Sequence, residues 1–378
     1  MTEIDVEPED TPFVPRLREL GATEWIEAVG RKSPAFVTSP EEEYSAVREA
    51  CGAMDLSFIH KTDVRGPNAL DIANAVVARD LKRLPEGRIA YTVVVDERGM
   101  MIDDVTVYVF SPDYVRICGG TTTVPELLEQ RATGTETEVV LGLRDTIAHL
   151  CVQGPRSREL LEPLTPADVS NEAFPYYTFR PQLEVAGIPT HVNRMGYTAE
   201  LGYELWVPAE RALELWDAIF ETGGPLGIKA VGSTAIMMIR IEAGLMIGDG
   251  IDYDDTVSPW ECCLGWSVDL DKEDDFIGRD ALGPLRDSAP QRTVTVRLDD
   301  GGPEAFFAPL ERNGSSIGRV NMSMPSPLLG STLGLARVRR EEAVVGNQVT
   351  AKLDDGRVVA GEILDTPVYD PERTRVRS

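Results

Sequence analysis

The stretch "DLSFIHKTDVRGPNALDIANAV", residues 55–76, combines a strand-like half, a Gly-Pro turn and a helix-like half. The residues before Gly66 are typical of a strand, and apolar residues recur at helical spacing after it. A similar phrase returns 88 residues further on, where "VQGPRS" begins at Val152 as "VRGPNA" begins at Val64. The repeated phrase predicts two related strand-turn-helix units in one chain.

Helix signals flank both copies of this phrase. In "SPEEEYSAVREACG", Ser39 is placed to cap a helix that starts at Pro40, and Gly52 ends it. The segment "PAERALELWDAIFETGG" predicts a second, amphipathic helix that ends at Gly223. The segment "STAIMMIRIEAG" is apolar nearly all round, which predicts a buried helix whose Arg240 and Glu242 need polar partners.

Short alternating strands dominate the chain after residue 286. They are "RTVTVRL", "LGLARVRR", "QVTAKL" and "RVVAGEIL". The last two are joined by Asp354-Asp355-Gly356, a signal for a hairpin turn. This pattern predicts a small β module at the end of the sequence.

Charge and composition exclude several classes of partner. The formal net charge of −26 would repel a phosphate backbone, so no nucleic-acid partner is expected. Arginine outnumbers lysine by 31 to 6, for which a solvated surface, GC-rich coding and adaptation to high salt are alternative reasons. Five scattered cysteines and three distant histidines predict neither a disulfide framework nor a metal site. No long apolar run or signal-like N-terminus occurs, so we expect a cytoplasmic protein without a membrane partner.

The segment "GMMIDDVTVY", residues 99–108, resembles the Gly-Gly-x-x-Asp-Asp segment of the folate-dependent T-protein (aminomethyltransferase) family of the glycine-cleavage system. The resemblance continues in order through "GRIAYTVV", "CVQGPRS", "YYTFRP", "RMGYTAELGYEL", "RIEAGL", "SPWECCLGWSVDL" and "FIGRDAL". It implies an α+β fold with a three-domain, cloverleaf architecture and a C-terminal β-barrel-like module. The expected boundaries are 1–140 for a first, folate-binding domain, 141–285 for a second domain related to it, and 286–378 for the β module.

The same resemblance implies the site residues. The second Asp of the family's pair lies at the reacting carbon beside tetrahydrofolate, and it corresponds to Asp104. Because successive strand residues point to opposite faces, Asp103 is expected on the other side, so the two acids form no proton-sharing pair. The positions that line the folate correspond to Tyr91, Tyr176, Tyr197, Glu204 and, in a looser part of the match, Tyr369.

Several departures from the family pattern lie around the expected reaction site. The segment "CGGTTT", which starts at Cys118, replaces an Asn-containing segment, and Phe58 and Ile236 replace a His and an Arg. These departures predict a different one-carbon donor, with Phe58, Cys118 and Arg240 as candidate substrate contacts. For Arg240 a structural ion pair is the competing interpretation. We expect Trp266 to be buried in the core between domains.

Two activities follow from the resemblance, and both are transfers to tetrahydrofolate. The first is a demethylase, which moves a methyl group from a small methylated donor to N5 of tetrahydrofolate. The alternative is a divergent aminomethyltransferase, which takes an aminomethyl group from a lipoyl carrier protein and yields methylenetetrahydrofolate and ammonia. A non-catalytic iron–sulfur maintenance protein would carry a Lys-Gly-Cys motif, and the folate half of an amine dehydrogenase would need a flavin partner. The sequence contains neither that motif nor a flavin fingerprint.

Overall fold

The computed structural model describes residues 7–248, 250–300 and 302–378. Contacts divide these residues into two units. Unit 1 holds residues 7–61, 142–236 and 374–378, and unit 2 holds residues 62–141 and 237–373 except the two positions left out above. No helix within the described residues is long and apolar enough to span a membrane.

The helices, in chain order, are α1 (Val14–Glu19), α2 (Pro40–Glu49), α3 (Ala69–Val76), α4 (Thr123–Ala132), α5 (Ser157–Leu161), α6 (Ala212–Gly223), α7 (Ser233–Glu242) and α8 (Arg279–Ser288). The strands up to the middle of the chain are β1 (Trp25–Ala28), β2 (Arg31–Pro34), β3 (Gly52–Asp55), β4 (His60–Arg65), β5 (Ile89–Val95), β6 (Met101–Ser111), β7 (Tyr114–Gly119), β8 (Glu138–Val140) and β9 (Ile147–Gln153). The remaining strands are β10 (Phe179–Val185), β11 (Ile188–Asn193), β12 (Gly202–Pro208), β13 (Lys229–Ala230), β14 (Gln291–Leu298), β15 (Pro309–Arg312), β16 (Ser315–Ser326), β17 (Ser331–Arg339), β18 (Gln348–Lys352) and β19 (Val358–Leu364).

Unit 1 is built on a six-stranded sheet in the order β10-β11-β12-β9-β3-β13. Its neighbouring strands are antiparallel, except that β13 runs parallel to β3. One face is apolar, with Leu150 and Leu205 packed in a core that also holds Leu215 and Trp216 of α6. The other face carries polar and aromatic side chains, among them His149, Glu204 and Trp206.

Unit 2 contains a five-stranded sheet and a closed barrel. The sheet has the order β5-β6-β7-β4-β8, and its Val105 and Val107 belong to a core with apolar residues of α3 and α4. The barrel closes through β14-β17-β16-β15-β18-β19, and every pairing in it is antiparallel. The predicted β module is therefore confirmed.

The repeated Gly-Pro phrase forms the same turn twice. Strand β4 leads through Gly66 into α3, and β9 leads through Gly154 into α5. Gly66 has φ +131° and Gly154 has φ +129°, values that favour glycine. A side chain at either position would also meet backbone atoms closer than 3.0 Å, Glu136 O at 2.8 Å and Ala50 O at 2.5 Å. The turn geometry explains why the phrase recurs with its glycine.

The predicted helix at Pro40 is also confirmed, because the Ser39 hydroxyl accepts a hydrogen bond from the Glu42 amide at 3.2 Å. The α+β class with a terminal barrel is as expected. The division into domains at residues 140 and 285 stays a prediction. The expectation for Trp266 was wrong, since its side chain is 58% exposed.

Candidate functional site

Strand β6 turns its two adjacent acids to opposite faces of the unit 2 sheet. Cross-strand pairs join Tyr91 to Thr106, Val93 to Asp104, and Thr106 to Cys118. Residues paired in this way share a face. One face of the sheet therefore carries Tyr91, Asp104 and Cys118 together, and Asp103 lies on the face that α3 and α4 cover.

Two tyrosines hold the carboxylate of Asp104. The Tyr91 hydroxyl donates to Oδ2 at 2.7 Å, and the Tyr253 hydroxyl donates to Oδ1 through a short contact. The Tyr253 oxygen also accepts the backbone N–H of Asp104 at 3.1 Å. Burial raises the pKa of Asp104, and the hydrogen bonds from Tyr253 and Tyr91 act in the opposite direction. We call these three residues the Asp104 cluster.

Asp103 serves a different purpose from its neighbour. Its Oδ2 accepts the backbone N–H groups of Gly120 and Thr121, each at 3.0 Å, and the Thr121 hydroxyl at 3.2 Å. The side chain is buried. Burial, and then the nearby charge of Asp104, raise the pKa of Asp103 to about 7. Asp103 therefore fixes the chain that follows β7.

A stacked aromatic pair, made of the half-buried Tyr91 and the exposed Trp266, extends the Asp104 cluster. The rings of Tyr91 and Trp266 are stacked with centroids 5.5 Å apart and planes 13° apart. The Arg79 guanidinium lies 5.6 Å from the Trp266 ring centroid and donates to the Tyr91 carbonyl at 3.2 Å. Trp266 thus supports Tyr91 from the surface of unit 2 instead of filling a core.

Glu204 lies within a buried polar cluster of unit 1. Its Oε2 is 3.1 Å from His149 Nε2 and 3.5 Å from Asn193 Nδ2. Asn193 Oδ1 is in turn 2.7 Å from His191 Nε2. The His149 ring is turned so that neither nitrogen makes a well-aligned hydrogen bond to a described residue. We call Glu204, His149, Asn193 and His191 the Glu204 cluster.

Aromatic rings and a lysine surround the Glu204 cluster. His191 stacks on Trp206 at 4.4 Å, His149 meets the edge of Trp206 at 5.4 Å, and the Lys61 ammonium lies 5.7 Å from that ring. Burial lowers the pKa of His149, the charge of Glu204 opposes this effect, and the charge of Lys61 adds to it. A neutral imidazole beside an acid is the expected state near neutral pH.

The two predicted tyrosines of unit 1, Tyr176 and Tyr197, lie outside its strands and helices. Tyr176 is half-buried, and its ring meets that of Tyr177 edge-on with centroids 4.6 Å apart. Tyr197 is also half-buried, in the loop between β11 and β12. Gly196 in this loop and Gly202 at the start of β12 leave room for Gln153, because a Cβ at either position would lie 2.0 Å from the Gln153 side chain. Gln153 binds the loop through Thr198, at 2.8 Å, and the Met195 carbonyl, at 3.0 Å.

Of the remaining predicted residues, Phe58 lies in unit 1, and Arg240 and Tyr369 lie in unit 2. The Arg240 guanidinium is fully buried and forms an ion pair with Asp252 at 2.6 Å. Phe58 is half-buried in a turn of unit 1, where its carbonyl accepts from Arg144 at 3.3 Å. Tyr369 is half-buried in unit 2, and its N–H donates to the Glu242 carbonyl at 2.9 Å.

Sequence reasoning missed Tyr253, His149, His191 and Asn193. Tyr253 stands in the acidic loop "GDGIDYDD", where only an aromatic residue among acids marks it. His149 had a better signal, because it interrupts the apolar strand "IAHLCVQ" and a buried polar side chain needs a partner.

The residues of the Glu204 cluster fit the donor edge of a pterin. Oε2 of Glu204 is contacted by His149 and Asn193, and Oε1 has no hydrogen-bond partner among the described residues. A buried carboxylate with one open oxygen suits the amino and ring N–H groups of such a ligand.

Comparisons with known proteins found relatives in sequence and in fold. The chain is 35% identical over 348 residues to trimethylamine-oxide aldolase of Ruegeria pomeroyi, a match that covers 90% of this chain but 44% of that protein. It is 33% identical over 359 residues to aminomethyltransferase of Halothermothrix orenii. This match covers 94% of this chain and 99% of that protein. The crystal structure of glycine cleavage system aminomethyltransferase T from Bartonella henselae has the same fold, with a TM-score of 0.85 at 22% identity over 96% of this chain and 98% of that chain.

Two family descriptions together cover most of the sequence. Residues 13–272 match the "GCVT N-terminal domain", and residues 291–370 match the "Glycine cleavage T-protein C-terminal barrel domain". The second range coincides with the closed barrel of unit 2. The chain therefore belongs to the glycine cleavage T-protein family, a family of folate-dependent enzymes.

Proposed function

We propose that the enzyme transfers a methyl group from a small, cationic or activated methylated donor to N5 of tetrahydrofolate. The observation that carries this proposal is the Asp104 cluster, in which two phenol hydroxyls orient one partly buried carboxylate. An oriented anion of this kind stabilises positive charge on a reacting carbon and its leaving group. When bound, tetrahydrofolate supplies N5 as the acceptor of the one-carbon unit.

The chain's own residues bind and orient in this proposal. Glu204 accepts hydrogen bonds from the pterin edge, while Asn193 and the His149 ring lie beside the other oxygen of its carboxylate. The rings of Tyr91, Tyr176, Tyr197 and Tyr369 are the proposed folate contacts. Asp104 faces the donor carbon, and its carboxylate keeps its position while positive charge develops on that carbon and its leaving group.

The residues expected to contact the one-carbon donor favour a demethylase. Phe58 and the Cys118 segment replace polar groups of the T-protein pattern, and a relative at 35% identity is named for trimethylamine oxide, a small methylated compound. That relative is a longer protein, of which this chain matches 44%. We infer that a small methylated donor, and not an aminomethylated protein, is the better candidate.

A second candidate is an aminomethyltransferase that acts on a lipoyl carrier protein. The observation that favours it is the match to aminomethyltransferases over nearly their full length, 99% for the Halothermothrix orenii protein and 97% for that of Thermotoga maritima. The two candidates differ in product, since this reaction yields methylenetetrahydrofolate and ammonia.

Product analysis tests the proposal. The protein is incubated with tetrahydrofolate and, in separate reactions, a quaternary ammonium, a sulfonium, an aryl methyl ether, trimethylamine oxide and an aminomethylated lipoyl carrier protein. Mass spectrometry then distinguishes methyl- from methylenetetrahydrofolate. Methyltetrahydrofolate from a small donor is the expected result, and product from the carrier protein alone would select the second candidate. A rise in melting temperature with tetrahydrofolate checks binding by itself, and its absence would overturn both.

A further inference from the structure

We propose that Tyr253 is a positioning residue that holds Asp104 in its reactive orientation, and that a buried ion pair at Asp252 keeps Tyr253 in place. The inference rests on the proposed function, since it assigns a role beside the carboxylate that faces the donor. Neither the resemblance to the T-protein family nor any sequence motif points to Tyr253.

The geometry restrains Asp104 at three points. Tyr253 binds both the Oδ1 and the backbone N–H of Asp104, and Tyr91 binds Oδ2 at 2.7 Å. Two donors on different oxygens fix the rotation of a carboxylate, which a single donor leaves free. Tyr253 is 3% exposed and contacts the acid directly through these hydrogen bonds. Apart from the half-turn that exchanges its two equivalent oxygens, rotation of the carboxylate away from this orientation breaks at least one of these hydrogen bonds.

Tyr253 is held by its neighbour in the chain. Asp252 Oδ2 accepts from Arg240 Nη1 at 2.6 Å and from the Ile247 N–H at 3.0 Å. The Asp252 carbonyl accepts from Arg337 of β17 at 3.2 Å. On β16, Asn321 donates to Asp252 Oδ1 at 3.3 Å. The side chains of Arg240 and Asp252 are both fully buried, where a lost partner is costly.

This arrangement gives Arg240 a role in the same network. Arg240 lies on α7 and has no contact with Asp104, so it acts through Asp252 and then Tyr253. The loop that follows α7 is thereby bound both to α7, through Arg240, and to the barrel, through Asn321 and Arg337. We infer that the ion pair predicted for Arg240 sets the position of Asp104 indirectly.

The charges around Asp104 give Tyr253 a measurable effect. Burial and the charge of Asp252 raise the pKa of Asp104, and the phenol hydrogen bonds lower it. Asp103, on the opposite face, is coupled to Asp104 by charge. Burial and both acids raise the pKa of Tyr253 well above its ordinary value, so the phenol remains a neutral donor. Removal of the Tyr253 hydroxyl should therefore raise the pKa of Asp104.

The experiment compares Tyr253→Phe with the matched control Tyr203→Phe. Tyr203 is equally buried, but its hydroxyl donates to the Val169 carbonyl in unit 1. The titration of Asp104 is followed by NMR in protein labelled with carbon-13 in its aspartate carboxyls, with Asp104→Asn to assign the signal. Single-turnover rates of methyl transfer are measured over the same pH range.

We expect Tyr253→Phe to raise the pKa of Asp104 and to lower the single-turnover rate about tenfold. The acidic limb of the pH–rate profile should move to higher pH. Tyr203→Phe should change neither the titration nor the shape of the profile. An unchanged Asp104 titration in folded Tyr253→Phe overturns the inference. Because the titration needs no donor, this test decides the role of Tyr253 even if the wild-type protein transfers no methyl group and the proposed function fails.

Discussion

Asp104 and Glu204 are both partly or fully buried carboxylates, but the structure surrounds them differently. Asp104 receives hydroxyl donors on both oxygens, and the pKa of one donor, Tyr253, lies well above its ordinary value because of burial and the nearby acids. Glu204 has an imidazole and an amide at one oxygen and an open second oxygen. The first arrangement fixes the orientation of a carboxylate, whereas the second leaves one carboxylate oxygen available to a ligand.

The difference indicates that the two carboxylates have different functions, charge stabilisation at Asp104 and ligand binding at Glu204. A charge that must meet a developing cation gains from preorganisation, because no reorientation is needed during the reaction. A charge that must bind a ligand needs an open acceptor and a support that does not compete for it. We therefore expect substitutions at Asp104 to change rate and those at Glu204 to change affinity.

The largest expected effect is on rate at Asp104. Asp104→Asn should reduce single-turnover methyl transfer about a hundredfold or more, roughly 3 kcal/mol, because the charge is lost while the shape is kept. Tetrahydrofolate affinity and melting temperature should change little. The control is Asp103→Asn on the adjacent position, which should lose far less rate. A larger rate loss at Asp103 would mean that the faces of β6 are assigned to the wrong roles.

The second effect is on affinity at Glu204. Glu204→Gln should weaken tetrahydrofolate binding about tenfold or more, because hydrogen bonds to a charged acceptor are replaced by bonds to a neutral one. Titration calorimetry measures this loss, and turnover at saturating folate should be nearly retained. Glu184→Gln is the matched control, since Glu184 is exposed on β10 of the same sheet. Equal affinities of the two variants would remove Glu204 from the folate site.

The sequence predicted more of the scaffold than of the site. The Gly-Pro repeat, the helix capped by Ser39 and the terminal strands follow local rules, and each was found as expected. Alternation along β6 also predicted that Asp103 and Asp104 face opposite ways, as the pairing register shows. Local periodicity is enough for such features.

The supporting residues of the site could not be predicted in the same way. Tyr253 is 149 positions from Asp104, and Asp252 gathers partners from α7, β16 and β17. Such contacts depend on how distant segments meet, which no local pattern contains. The segment at Cys118 was interpreted as a departure from the family and Cys118 as a candidate substrate contact, yet the Gly120 and Thr121 amides of this segment bind Asp103. Trp266 was expected in the core between domains, but its ring is exposed and stacks on that of Tyr91.

A third prediction concerns stability at Asp103. Its pKa in the folded protein, about 7, lies above the ordinary value of 3.8. The stability that this raised pKa contributes is therefore fully present below the unfolded value and is lost as the pH rises through about 7. The melting temperature of the wild type should fall more between pH 5 and pH 8 than that of Asp103→Asn.

Asp103→Ala separates the hydrogen bonds from the charge. It leaves the Gly120 and Thr121 donors without their acceptor, at a cost of about 1 to 3 kcal/mol in unfolding free energy. Denaturant unfolding at pH 5 measures this cost. If Asp103→Asn and the wild type show the same pH dependence, the raised pKa of Asp103 plays no part in stability.

The smallest expected effect is at His149, and it tests whether the support of Glu204 is sensitive to acid. Burial lowers the pKa of His149, so the ring is neutral near pH 7 and gains its proton only in more acidic solution. Once protonated, the imidazolium would pair with Glu204 and compete with the pterin donors, while Lys61 opposes that protonation. Wild-type affinity for tetrahydrofolate should therefore fall on acidification below pH 6.5, and His149→Leu should be weaker by about threefold at pH 7.5 but less sensitive to acid. Because the ligand is the same in both proteins, its own titration cancels in the comparison. Parallel pH profiles would show that His149 only fills space, and the contrast between the Asp104 cluster and the Glu204 cluster would then rest on the open oxygen of Glu204 alone.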